Sequence, residues 1–282
     1  SLALVMVFAT AGFSFRSWIP LQRALLPMAW SALLNYLVFG SVLIGLAYLF
    51  FSAQNQLAFL IGFILLAAAP PGPSVIPFST MMQGDEHFSI TGVFGLHLLA
   101  MILTPLLLLV FLGQTLISPM AVFSIMIKLI VIPLIISRLL RHPRVLPGVL
   151  KARDNVVKWG FFLVVTPIMG MSAPLFLSEP GSVLLISAVC ILAMYGLGLG
   201  FHLLMQRLGY PRPFIISANL MMVTKSSAFS AVAAFSFFAD EPGVALPSAV
   251  VSVFVTLFII VYSAFIKWHE KPVNKNKKTP VS

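Results

Sequence analysis

The chain has 282 residues, of which 60% are hydrophobic and 9% charged, against roughly a quarter charged in an ordinary soluble domain. That excludes a water-soluble globular protein and leaves little chain for a soluble catalytic domain. The formal net charge of +10 would point to nucleic acid if the cations formed one face of a soluble fold, but they lie almost entirely between hydrophobic runs. Cys190 is the single cysteine. With no second thiol and no spaced His/Cys cluster, neither a disulfide nor a metal centre is expected, and no cofactor.

At about 30 residues per span and connection, the length allows about nine membrane helices. Hydrophobic runs fall at about 1 to 15, 24 to 52, 57 to 82, 89 to 113, 118 to 138, 157 to 176, 181 to 205, 213 to 238 and 245 to 267. The first is shorter than the roughly 17 residues a span needs, so the sequence is expected to start inside a helix. It has no basic region ahead of it and no small-residue cleavage site, which argues against a signal peptide. The second is too long for a perpendicular span and contains Pro27, Asn35, Gly40 and Gly45, which predicts tilt or a bend.

The third run carries Pro70-Pro71-Gly72-Pro73 before Ser74, which removes amide donors and prevents continuous helix. In lipid, such backbone is tolerated only where it lines a cavity or is buried in protein. The fourth run contains His97 and the fifth Lys128. The stretch from Arg138 to Lys158 reads as cytoplasmic and amphipathic, with Pro143 and Pro147 expected to keep it from forming one long helix. The seventh run holds Tyr195-Gly196-Leu197-Gly198-Leu199-Gly200. Without a preceding strand or βαβ unit, this is expected to be close helix packing and not a dinucleotide fingerprint. The eighth is interrupted by Val223-Thr224-Lys225-Ser226-Ser227; nothing there forbids helix, but a lysine stands near mid-span. The Lys-rich tail from Lys271 to Ser282 reads as disordered and able to touch anionic lipid.

The loops account for the charge. Arg16 and Arg23 follow the first run; Arg138, Arg141, Arg144, Lys151, Arg153 and Lys158 the fifth; Arg207 and Arg212 the seventh; Lys267, Lys271, Lys275, Lys277 and Lys278 the ninth. These connections alternate, so all lie on one side, and the opposite loops contain no Lys or Arg. The positive-inside rule makes that side, and the C-terminus, cytoplasmic in an inner or plasma membrane. Nine spans then place Ser1 outside, as if one span preceded it.

Two features repeat. Asp85-Glu86 follows the third run and Asp240-Glu241 the eighth, an offset of 155 that also sets Pro70 against Lys225. The two runs cross in opposite directions, so the repeat is inverted, which is the pointer to a transporter whose site lies between its halves.

The stretch Ala69-Pro70-Pro71-Gly72-Pro73-Ser74, continuing through Gln83-Gly84-Asp85 and Ser89 to Leu103-Thr104-Pro105-Leu106-Leu107, resembles the crossover helix and next span of the bile acid:sodium symporter family. The opening from Leu2 to Phe15 resembles that family's second span, and Ala245-Leu246-Pro247-Ser248 its approach to the last. The resemblance implies an all-α polytopic fold of ten helices in two inverted five-helix repeats with two crossing discontinuous helices. Nine are present here: 1–113 as the first repeat without its first helix, 118–267 as the second, and 268–282 as a cytoplasmic tail. The family's sodium ligands do not carry over. Its first Ser-Asn pair falls on Val75-Ile76, its threonine on Val93, and its Glu, Gln and Asn on Leu220, Thr224 and Lys225, while Ser89 keeps its serine. Sodium coupling by the usual sites is therefore not expected.

All seven acidic residues lie at span ends or in loops, so no intramembrane carboxylate is available to carry a proton. Burying an ammonium without partners costs several kcal/mol, and Lys225 is the leading functional candidate. Thr224, Ser226 and Ser227 are expected to share its desolvation, while the ammonium replaces the sodium charge and either attracts a substrate carboxylate or cycles a proton. Pro71, Gly72, Ser74, Ser89 and Asn219 complete the predicted site, with His97 as a proton carrier by virtue of its near-neutral unperturbed pKa. For Asn35 and Asn219 the sequence leaves open lining a cavity or joining helices.

The expected function is secondary transport of an organic anion, bile-acid-like or a small carboxylate, by alternating access, proton-coupled or uncoupled. Sodium symport and an auxin-carrier-like efflux permease are the alternatives within the fold, an arsenite exporter being disfavoured by the lack of cysteine at the first crossover. A receptor on the same fold is the alternative outside transport. An enzyme is excluded because the spans offer no nucleophile with a base, no paired carboxylates and no metal cluster.

Overall fold

The computed structural model describes residues 2–11, 22–52, 56–116, 118–142 and 144–269. Apart from one isolated backbone bridge, the described residues are helical or in short connections, with no strand. In chain order the helices are α1 (Leu2–Ala11); α2, running through Gln22–Ala32, a π-helical stretch Leu33–Gly40 and Ser41–Phe51; α3 (Leu57–Ala68); α4 (Val75–Met81); and α5 (Glu86–Leu116). There follow α6, through Pro119–Met126, the π stretch Ile127–Val131 and Ile132–Leu139; α7 (Leu146–Ser178); α8, through Pro180–Cys190, the π stretch Ile191–Gly196 and Leu197–Arg207; α9 (Arg212–Val223); α10 (Ser227–Phe237); and α11 (Leu246–His269).

Five stretches are long and apolar enough to cross a membrane: Ala24–Phe51, Glu86–Gly113, Met120–Leu139, Pro180–Arg207 and Pro242–His269. Three shorter apolar helices, α3, α9 and α10, belong to the two interrupted runs. This is a nearly all-helical, multi-pass architecture.

Three expectations gain detail. Where tilt or a bend was expected in the second run, α2 carries a π-helical stretch over Leu33–Gly40, which includes Asn35 and Gly40. The Arg138-to-Lys158 stretch is not one long helix, as expected: α6 ends at Leu139 and α7 starts at Leu146, taking in Lys151 and Arg153. Pro147 sits in its first turn, where a missing amide hydrogen costs nothing; Pro143 lies outside the described residues. The eighth run breaks at Thr224 to Ser226, as expected of the second discontinuous helix, although no proline requires it.

The core forms around the interrupted helices. Nearly all of α3 from Phe59 to Ala68 and of α9 from Ile215 to Val223 is buried. Each interrupted pair is gripped at its end by the start of the other. The turn after α4 packs on the start of α9: the Asp85 amide donates to the Pro213 carbonyl at 2.9 Å, and Ser217 Oγ, 2.7 Å from Ser79 Oγ, donates to the Asp85 carbonyl at 3.0 Å. Reciprocally, the segment after α10 packs on the start of α3, with Gly243 against Ala58 and Phe59.

Close approach explains the glycine at position 62. A Cβ there would run into the Val244 carbonyl and the Pro247 ring. Gly62→Ala is expected to destabilise by about 1–3 kcal/mol, the range for overpacking a filled interior, and thermal unfolding in detergent measures it. Of the glycines in the Tyr195–Gly200 run, only Gly198 meets a neighbour, Phe258 and Asn219, whereas Gly196 and Gly200 have open space. The close-packing expectation therefore holds at one glycine of the run.

Candidate functional site

The two interruptions meet. Pro71 and Lys225 form an antiparallel bridge. It is held by the Gly72 amide donating to the Thr224 carbonyl at 3.3 Å and the Ser226 amide donating to the Pro70 carbonyl at 2.9 Å. A Cβ at Gly72 would lie 3.2 Å from Ser74 Oγ and in ordinary contact with Thr224 Cγ2 at 3.6 Å, so the position is close to the other segment without requiring glycine. Two non-helical segments thus satisfy each other's backbone groups in the protein interior, the condition for tolerating them at membrane depth.

The prolines determine what the crossing exposes. In a continuous helix each amide bonds the carbonyl four residues earlier, so prolines at 70, 71 and 73 strip the donors from carbonyls 66, 67 and 69. The Leu66 carbonyl is recovered by the Ala69 amide at 3.2 Å. The Ala68 carbonyl, whose normal partner Gly72 has turned to Thr224, accepts from Thr104 Oγ1 on α5 at 2.6 Å. The remaining two, Ala67 and Ala69, accept from Lys225 Nζ at 2.7 and 3.0 Å.

The third ammonium donor goes to Asn35 Oδ1 at 2.7 Å, and the Tyr36 ring centroid lies 4.3 Å from Nζ. Lys225 is 2% exposed. An ammonium has three donors and no acceptor, and here all three are used on neutral oxygens. The charge also sits at the C-terminal end of α3, the negative end of its dipole, where a cation is favoured. Asn35 and Tyr36 are adjacent in sequence and lie in the π-helical stretch of α2; such distortions frequently occur where a helix presents functional groups. Asn35 Nδ2 donates to the Met221 carbonyl near the end of α9 at 2.8 Å, so Asn35 ties α2 and α9 to the lysine.

Of the predicted site residues, the structure brings Pro71, Gly72, Ser74, Thr224, Lys225, Ser226 and Ser227 to the crossing. The hydroxyls next to Lys225 do not hold its ammonium as expected: Ser226 Oγ accepts from the Phe229 amide at 3.3 Å and caps α10, and the bonds to Nζ come from other helices. Asn219 lies elsewhere on α9 and donates to the Gly198 carbonyl on α8 at 2.7 Å, a helix-joining contact; its Oδ1 is buried without a hydrogen-bond partner among the described residues.

Ser89 and His97 lie on α5, N-terminal to the Thr104 that bonds the Ala68 carbonyl. At about 1.5 Å per residue along α5 they stand about 22 and 10 Å from Thr104. His97 Nδ1 donates to the Val93 carbonyl one turn earlier at 2.7 Å, the arrangement of a packing histidine. His97→Gln is expected to change transport less than twofold, as initial uptake rates would show. Ser89 Oγ is buried without a partner among the described residues. Val75, Ile76, Val93 and Leu220, where the family would place sodium ligands, are buried apolar side chains.

Asn35 was foreseen only as a cavity-lining or helix-joining residue, and Tyr36, Thr104 and the Ala67 and Ala69 carbonyls were not foreseen as parts of a site. The proline positions carried a usable signal, because counting back four residues from Pro71 and Pro73 names the two carbonyls that Lys225 bonds. Among the described residues no group of three or more His, Cys, Asp or Glu is placed to hold a metal ion.

A family model, the SBF-like CPA transporter family, matches residues 1–269. A search of the curated proteins finds no match to the chain.

Proposed function

The chain belongs to the SBF-like CPA transporter family and is a membrane transporter, not an enzyme; on that premise we propose that it moves an organic anion, bile-acid-like or a small carboxylate, by alternating access without a sodium ion at the crossing. The observation that carries this reading is the Lys225 ammonium, held at 2.7–3.0 Å by three neutral oxygens where the interrupted helices meet. Its charge has no carboxylate among those partners. The N-termini of α4 and α10 also open from the two interruptions, and helix N-termini favour anions. The C-termini of α3 and α9 face the same interruptions and offset those N-termini, so it is the Lys225 charge that makes the local field positive, which suits an anionic substrate.

Because all three N–H donors are engaged within the protein, Lys225 acts on the anion through its field and not by direct hydrogen bonding. At an effective dielectric of about 20, a unit charge about 6 Å from a carboxylate contributes about 3 kcal/mol. Proton coupling requires the ammonium to lose its proton during the cycle; uncoupled transport leaves it charged throughout.

The moving units in this reading are two inverted repeats, 1–113 and 118–267. The offset of 155, the π-helical stretches in α2 and α8 and the reciprocal packing of each turn on the other half's interrupted helix support that division. The basic loops support a cytoplasmic C-terminus.

Uptake of a panel of radiolabelled bile salts and small carboxylates into proteoliposomes, beside neutral and cationic analogues of similar size, tests the reading. Saturable accumulation of an anion is expected, and an imposed pH gradient separates proton-coupled from uncoupled flux. Saturable binding with no flux would establish a receptor instead.

A further inference from the structure

We infer that the oxygens around Lys225 Nζ form a monovalent-cation site, kept closed by a cation built into the chain. Asn35 Oδ1 and the Ala67 and Ala69 carbonyls converge to within 3.0 Å of one point, with the Tyr36 ring face behind it. This is the donor set for a hard or ammonium-like cation: one amide oxygen, two peptide oxygens and an aromatic face. It contains no thiolate or imidazole to select a transition metal. It has no carboxylate, so a divalent ion would be left with excess charge in a dry environment.

Contacts other than the lysine also hold this part of the scaffold. The carbonyls are freed by Pro71 and Pro73, which belong to the other interrupted helix, and the intervening Ala68 carbonyl is pinned by Thr104 Oγ1 at 2.6 Å. Asn35 is oriented by its bond to the Met221 carbonyl at 2.8 Å. The oxygen distances of 2.7–3.0 Å suit an ion of ammonium's size, which is that of K+ and larger than that of Na+. Shortening the lysine is therefore expected to leave a site that takes K+, NH4+ or a small alkylammonium from solution.

The inference deepens the proposal that Lys225 stands in place of a coupling ion, but it is tested by binding and not by flux. The full-length Lys225→Ala variant and the wild type are purified in detergent, and thermal unfolding is followed against KCl, NH4Cl, propylammonium chloride, NaCl and choline chloride at matched ionic strength. The variant is expected to show saturable Tm increases of several degrees with K+, NH4+ or propylammonium, smaller increases with Na+ and none with choline. The wild type should respond to none of them specifically. Adding Asn35→Ala to the variant should abolish the response.

A variant that folds but shows no cation-specific shift would overturn the inference, as would an equal shift in the wild type. A variant recoverable only in K+, NH4+ or propylammonium supports it, and one recoverable in none of these salts overturns it. Failure of the transport proposal reads out separately, as sodium-dependent uptake by the wild type.

Discussion

Replacing Lys225 with methionine is expected to lower kcat/KM for the transported anion about 100-fold or more. Methionine keeps most of the side-chain volume at this buried position, so the change removes the charge and its hydrogen bonds without opening a large cavity. It removes the field contribution of about 3 kcal/mol, and each 1.4 kcal/mol is worth a factor of about ten. It also leaves Asn35 Oδ1 and the Ala67 and Ala69 carbonyls without their donor. A buried acceptor left unsatisfied costs about 1–3 kcal/mol, so a marked fall in Tm should accompany the loss of transport. Lys225→Arg does not restore the arrangement, because a planar guanidinium cannot direct three donors as an ammonium does. Uptake kinetics and thermal unfolding on the same preparations check both effects. Wild-type rates in Lys225→Met would mean that the charge at the crossing takes no part in transport.

The second large effect is expected at Asn35, and two substitutions there separate its roles. Asn35→Ala removes the acceptor for Lys225 and the donor to the Met221 carbonyl together, leaving one ammonium hydrogen and one carbonyl unpaired inside the core. Hydrogen bonds to charged groups are worth about 1.5–3 kcal/mol, so the variant should unfold at clearly lower temperature and transport poorly. Asn35→Asp keeps an oxygen on Nζ but introduces a negative charge. Its fold should be better preserved than that of Asn35→Ala, while the KM for an anion rises because the crossing is now close to neutral. The comparison is read from Tm and KM. If the aspartate variant transported the anion with unchanged KM, the positive field would not be what the substrate senses.

The sequence carried the helical class, the positions of the two interruptions and the identity of the central lysine, for reasons that are local. Pro70, Pro71 and Pro73 forbid helix wherever they occur, and a lysine inside an apolar run is conspicuous without any knowledge of its partners. The interruption at Thr224 to Ser226 was expected from the resemblance, but its cause was not legible, because it is made by pairing with Pro70 and Gly72, more than 150 residues away. The same distance hid the ammonium's partners. Neighbouring hydroxyls were the natural candidates from the sequence, yet Ser226 is used as a helix cap. The bonds come instead from Asn35 on α2 and from carbonyls at the end of α3, and a carbonyl has no residue-type signature. His97 and Ser89 sit on one continuous stretch of α5, where the rise per residue sets them about 10 and 22 Å along the helix from Thr104.

The architecture makes Lys225 both structural and electrostatic. It closes the open end of α3, bonds through Asn35 to α9 and places a positive charge where the two interruptions meet. A protein built this way has its cation supplied by the chain, so transport should not wait on one from solution. The most direct test is the initial rate of uptake, by the wild type in proteoliposomes, of whichever labelled anion of the panel is accumulated. It is measured once with an inward sodium gradient and once with sodium replaced by choline on both sides. Equal rates are predicted. A rate that collapses without sodium would contradict the assignment of Lys225 as the resident cation.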